Sequence, residues 1–233
     1  MCGSYSHSTG MAEISDFLKR EVRETRARYN IAPRQLAPIV LMTATGPELH
    51  HFRWGLIPSW AKEEALGDKM INARSETVLE KPSFRTAFRL RRCLVIADGW
   101  YEWTAAGRTK QPWRICPVRG KGVVAFAGLH ESWSPPEMGN LPEGQSYLRQ
   151  TFTILTTEAN ATLSGLHGRM PVVLDRTSWV EWLDPKTRVE AAQALLLPAD
   201  DADFHAYPVT PQVGSVRFES PLAHLPLPEL FEG

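Results

Sequence analysis

The sequence predicts an α+β domain built around an antiparallel or mixed β-sheet. Three observations carry that reading. Short apolar, β-branched segments recur along the chain, turn chemistry separates several of them, and stretches of helical period stand before and between them. Residues 13–28 read as an amphipathic helix with Ile14, Phe17, Leu18 and Val22 on one face. It is expected to end near Tyr29-Asn30-Ile31-Ala32-Pro33, because the residue before a proline avoids helical geometry. Strand-like segments follow at 38–43, 50–54, 93–97, 113–116, 122–128, 152–157 and 171–174, with turns at Thr45-Gly46-Pro47 and Ala106-Gly107-Arg108. Further helices are expected around 82–89, 160–165, 177–183 and 187–197. The Pro-, Gly- and Ser-rich stretch 134–146 reads as an exposed loop. The tail after about 204, with prolines at 208, 211, 221, 226 and 228, is expected to wrap the surface largely without regular structure. No repeat and no domain boundary is visible, so residues 1–233 read as a single domain.

Composition narrows the function classes. Apolar residues make up 43 % and charged residues 22 % of the 233, ordinary for a globular protein, and no apolar run approaches the roughly 20 residues that span a bilayer. The first residues lack the basic flank and apolar stretch of a secretory signal. An intracellular protein is therefore expected, cytoplasmic or at the nucleoid in a bacterium and nuclear in a eukaryote, with no membrane partner. Of the three cysteines, Cys93 and Cys116 lie in apolar surroundings and read as buried small hydrophobes. No spacing suggests a disulfide framework, a metal site or a cofactor.

Net charge is zero, but its distribution is lopsided. Residues 1–130 hold 20 of the 26 basic side chains against 12 acids, whereas 131–233 hold 6 against 14. Ten basics against four acids crowd into 74–119, most of them arginine, whose planar fork suits phosphate oxygens. A basic face for a short stretch of polyanion and a merely solvated surface both fit this pattern.

Cys2 precedes any core element. Removal of Met1 would expose an amine of pKa about 7.7–8.0 beside a thiol of about 8.5. The amine can attack an aldehyde to give a Schiff base, and the neighbouring thiol can then close a five-membered thiazolidine. Four later segments offer partners. In Trp54-Gly55-Leu56-Ile57-Pro58-Ser59-Trp60, Trp54 suits the core and Trp60 suits stacking on an exposed base. In Ile71-Asn72-Ala73-Arg74-Ser75-Glu76, Asn72 can hold a neighbouring group through both amide ends and Arg74 can clamp a phosphate, or the pair is a turn and a surface charge. In Asp98-Gly99-Trp100-Tyr101-Glu102-Trp103, a carboxylate among aromatics is partly desolvated and suited to acid–base work, or is paired to an arginine. In Leu166-His167-Gly168-Arg169-Met170-Pro171, His167 can reach a cleft and move a proton, or simply satisfies a hydrogen bond.

Met-Cys-Gly at the start, Tyr29-Asn30-Ile31-Ala32-Pro33, Trp54-Gly55-Leu56-Ile57-Pro58, Ile71 to Glu76, Asp98 to Trp103 and His167 to Pro171, in that order, resemble the SOS response-associated peptidase (SRAP) family over residues 2 to about 185. The resemblance implies a barrel-like core flanked by helices, with a basic cleft. It implies a sensor of abasic sites in single-stranded DNA that forms a thiazolidine crosslink through Cys2. Asn72 would orient the Cys2 end, Glu102 would serve as acid–base residue, and His167 would assist sugar ring opening and Schiff-base proton transfer. Arg74, Trp60, Pro33, Thr156 and Arg169 resemble DNA-contacting positions. Two departures stand out: Ser4 replaces an arginine that many members carry, and Ala61 replaces a second aromatic found in some. Alternatives are a thiol peptidase with Cys2 as nucleophile, acting only on itself or more widely, and a non-covalent module for modified DNA. A monomer is expected.

Overall fold

The computed structural model describes residues 2–9, 11–19, 21–22, 26–107, 109–118, 122–136 and 147–228. In chain order the strands are β1 (Ser4–His7), β2 (Arg28–Ile31), β3 (Leu36–Thr43), β4 (Gly46–Trp54), β5 (Asn72–Arg74), β6 (Arg92–Ala97) and β7 (Gly99–Ala106). They continue with β8 (Thr109–Pro117), β9 (Val124–Trp133), β10 (Arg149–Glu158), β11 (Arg169–Pro171), β12 (Val173–Leu174) and β13 (Phe204–Pro208). The helices are α1 (Met11–Leu18), α2 (Arg85–Leu90), α3 (Ala161–Ser164), α4 (Trp179–Leu183) and α5 (Val189–Ala194). None is long and apolar enough to cross a membrane among the described residues.

Two sheets result. One is antiparallel, in the order β13-β8-β7-β1-β2. In the other, β10 pairs with β4 on one edge and β9 on the other, so β10, β4, β3, β6 and β9 close on themselves. Closure removes the free edges and makes this sheet a small barrel. β5 continues the β4 edge of β10 in parallel, pairing Asn72 with Ile154 and Arg74 with Thr156, and β11 continues the opposite edge.

Each element follows from its residues. Every residue of β6 is buried, as a run flanked by packed layers requires. Thr43 and Gly46 pair across the β3–β4 turn, where Gly46 takes φ +116°. The Asn160 side chain caps α3 by accepting from Leu163 N at 3.0 Å. Between barrel and antiparallel sheet lies an aromatic core: the Tyr5 and Trp54 rings meet at 5.2 Å and those of Trp100 and Phe126 at 5.8 Å, all four residues fully buried. On the barrel's other side Phe88 and Trp182 meet at 5.8 Å, and Trp182 Nε1 donates to Cys93 O. Cys93 and Cys116 are buried, as expected.

Two expectations are corrected. The helix read over 13–28 stops at Leu18, where Lys19 turns left-handed at φ 52°, and residues 28–31 form β2 against β1. Val22, the next apolar residue, packs against the core outside the helix, with its N donating to Ser15 Oγ at 3.1 Å. The tail is not irregular at its start: β13 pairs along β8 from Phe204–Pro117 to Pro208–Trp113. Its proline closes the strand instead of interrupting it, and Val209 N continues the ladder to Pro112 O at 3.0 Å. Of the loop read at 134–146, residues 137–146 lie outside the described residues.

Candidate functional site

Cys2 enters directly into β1 and has no accessible surface. Its Sγ donates to Ser4 O at 3.8 Å, and its own carbonyl accepts from Asn72 Nδ2 at 2.9 Å. Asn72 is placed by β5, whose start is held by Trp54 Nε1 donating to Ile71 O at 2.8 Å. The Asn72 Oδ1 is buried and has no hydrogen-bond partner among the described residues. One end of the amide therefore clasps the Cys2 backbone, and the other is left as an acceptor.

Glu102 arrives from β7. The register that pairs Ser4 with Tyr101 carries it alongside the Cys2–Gly3 step. It is 3 % exposed, and its pKa is pushed up to about 7 by burial, against the opposing positive charge of the chain's amino terminus. Burial and the Glu102 carboxylate together raise the Cys2 thiol well above its ordinary range, while the amino-terminal charge lowers it.

His167 follows α3, where its backbone N bonds Leu163 O at 3.2 Å. Its Nδ1 lies 2.9 Å from Arg169 N and 3.2 Å from Arg169 O, accepting from the first or donating to the second according to the tautomer. Burial first, and then the amino-terminal charge, hold its pKa below the ordinary value, leaving the ring neutral at neutral pH. Thiol, carboxylate and imidazole all feel the same terminal charge. Asn72 and Glu102 thus reach the Cys2 end directly, and His167 is linked to them through the terminal charge they share.

The five other residues singled out separate into two groups. Arg74 is exposed on β5, Trp60 is 58 % exposed, and Pro33 is half-buried at the turn into β3. These three are open to a ligand. Thr156 is fully buried, its hydroxyl donating to Ala73 O at 3.4 Å. Arg169 grips the Glu76 carboxylate with two nitrogens at 2.6 and 3.0 Å and donates to Thr156 O at 2.6 Å. Glu76 was visible in its motif, but this role was not, because its partner lies 93 positions further on. The arginine in turn holds the Glu76 carboxyl below the usual carboxylate range. Ser4 and Ala61 are both buried, and Ala61 O accepts from Trp133 Nε1 at 2.8 Å. No group of His, Cys, Asp and Glu among the described residues could hold a metal ion.

These features define an α+β barrel protein assembled around its own amino-terminal cysteine. The profile of the SOS response associated peptidase (SRAP) family matches residues 1–216. The abasic site processing protein YoaM of Bacillus subtilis (strain 168) is 40 % identical over 229 residues, covering 94 % of this chain and 96 % of that protein. The abasic site processing protein HMCES of Gallus gallus is 34 % identical, over 97 % of this chain and 78 % of its own length. A crystal structure of a protein from Bacteroides thetaiotaomicron superposes with a TM-score of 0.81 at 25 % identity, over 97 % of this chain and all of that one. The chain belongs to the SRAP family.

Proposed function

We propose that this protein captures abasic sites in single-stranded DNA as a covalent thiazolidine at Cys2. The observation that carries the reading is the Asn72 clasp on the Cys2 carbonyl, which fixes the residue beside a carboxylate of pKa about 7 and a neutral imidazole. The names of the relatives bring the substrate class to this chain.

Once Met1 is removed, the Cys2 amine attacks the C1′ aldehyde of the ring-opened deoxyribose. The carbinolamine loses one water to give the imine. The thiol then adds to the imine carbon, and its proton passes to the nitrogen, closing the ring without further loss. In the tautomer whose Nδ1–H donates to Arg169 O, His167 can take a proton from the attacking amine through Nε2. Glu102, near half-protonated at neutrality, can deliver one to the departing hydroxyl and accept one from the thiol. Arg74 and Trp60 offer a cation for phosphate and a face for a base beside this centre.

The thiol-peptidase alternative needs a thiolate before any bond forms. The buried Cys2 thiol, its pKa raised, favours instead a sequence in which the amine attacks first.

The test incubates Met1-free protein with an abasic oligonucleotide and reads a denaturing gel and the intact mass. A heat-stable adduct weighing the sum of the partners less one water is expected. Cys2→Ala should form no heat-stable adduct, nor should a chain with an extra residue before Cys2, whereas Cys2→Ser should give a weaker, borohydride-reducible one. An adduct that survives the blocked amine would refute the mechanism, and no adduct from the processed protein would refute the function.

A further inference from the structure

The family site leaves unused a second basic cleft at the far end of β1. A cavity of about 450 Å³ opens there, lined by His7, Arg26, Arg28, Pro38, His51 and Glu219 among others. We propose that this cleft is a separate oxyanion site that takes a phosphate group.

Three features point to an anion. His7 is 2 % exposed, yet neither ring nitrogen has a hydrogen-bond partner among the described residues, a costly state for a buried imidazole unless a ligand completes it. Arg26 is exposed at the rim with no ion-pair partner among the described residues. Arg28 is already ordered, its Nη2 donating to Gln35 Oε1 at 2.6 Å and its Nε to Glu219 Oε2 at 2.9 Å. A pre-set guanidinium loses little freedom when a phosphate oxygen arrives.

The acids nearby are occupied. Besides Arg28, the Glu219 carboxylate accepts from the backbone N–H groups of Tyr29 and Asn30. Asp98, the carboxylate felt by His7, accepts from Ser6, from Ser8 and from Arg114 at 3.2 Å. With Glu219 neutralised by Arg28, the rim is left with the charge of Arg26. Burial keeps His7 neutral, so it offers one N–H donor without adding charge. A phosphate oxygen accepts that N–H and faces Arg26.

Two sources share this chemistry: a phosphodiester of the bound DNA strand, or free inorganic phosphate. The strand source rests on the function proposed above. His7 lies five residues from Cys2 along extended chain, roughly 16 Å at about 3.3 Å per residue, so a strand anchored at Cys2 must be long enough to arrive.

The experiment uses Met1-free protein and single-stranded oligonucleotides with a non-reactive abasic analogue, lengthened one nucleotide at a time on either side. For lengths that reach the cleft, Arg26→Ala should weaken binding roughly tenfold, the equivalent of one charge-assisted contact. It should also lower the slope of log affinity against log salt by about 0.7, the value for one strand phosphate. Shorter oligonucleotides should bind both proteins alike. His7→Gln tests the buried donor, and the exposed Arg26 position keeps the test open if that variant does not fold. A second arm follows the His7 ring by NMR during titration with inorganic phosphate. Perturbation by phosphate without a length effect assigns the site to free phosphate. The absence of both effects overturns the proposal. If wild type fails to crosslink but phosphate still perturbs His7, the function falls and the anion site stands.

Discussion

Glu102 stands at its own pKa of about 7, well above the ordinary 4.5, because the fold takes its carboxylate out of water. Between those two values the folded chain keeps a proton that the unfolded chain has lost. Glu102 therefore weakens the fold progressively as pH rises from about 4.5 to 7, and the whole cost is present above 7. Glu102→Gln should stabilise the protein at pH 8 by as much as about 3 kcal/mol and leave it unchanged below pH 4.5, read from urea unfolding at the two pH values. The same variant should lose the inflection near pH 7 in the rate of adduct formation. A wild-type-like pH profile in Glu102→Gln would remove the carboxylate from the chemistry. Sequence showed Glu102 because three aromatics surround it within one motif. It could not show that Thr156 is fully buried, because a threonine in a strand faces core or ligand according to a register set by strands far away.

At the scale of elements, Gly55 is a tight joint near the site. It takes φ +120°, and a Cβ added there would lie 2.7 Å from Gly67 O. Both the backbone conformation and the space exclude a side chain, so β4 turns directly towards β10, where Gly55 N bonds Phe152 O at 2.8 Å. Gly55→Ala should cost about 2 kcal/mol or more, measured as a lowered urea midpoint, with a slower adduct rate because β5 follows this turn. An unchanged midpoint would show that the turn has room to relax. Elements with a continuous apolar run, such as β3, β6 and β10, were legible because they are buried by their own composition. β1, β2 and β13 were not. Each is four or five residues long and acquires its strand character from a partner remote in sequence, as Tyr5 does from Trp100 and His205 from Cys116. The α1 helix was overextended because Val22 continues the helical spacing on paper.

For the whole molecule, the lopsided charge overstated the basic face. Of the crowded arginines, Arg92 is buried under carbonyls of Phe88 and Trp182, Arg114 faces Asp98, and Arg91 pairs with Glu131 at 2.6 Å. Counting charges cannot separate structural arginines from those left for a ligand. The tail was undervalued in the opposite sense. Val209, Val213 and Ala223 are buried with Tyr101, and Phe204 packs against Trp100 at 5.2 Å. At about 1.5–3 kcal/mol for each large apolar side chain, their loss would exceed about 5 kcal/mol, comparable to the whole stability of a domain. A chain ending at residue 203 should therefore lose cooperative unfolding and aggregate along the bared β8 edge, seen by urea titration and light scattering. Retention of a wild-type midpoint would show that the tail is dispensable.

The pairing of Ser4 with Tyr101 also sets a clock on the birth of the protein. β1 has only β2 for company until β7 has been synthesised, and a two-stranded ribbon is marginal by itself. At about 5–20 residues per second, the amino terminus stays open for roughly 5–20 s of translation. A methionine aminopeptidase has that interval to trim the nascent chain. Afterwards the Cys2 carbonyl is clasped by Asn72, so trimming should be fastest within that interval. Strong overexpression, by outrunning the aminopeptidase, would fill a preparation with well-folded protein that lacks the free amine.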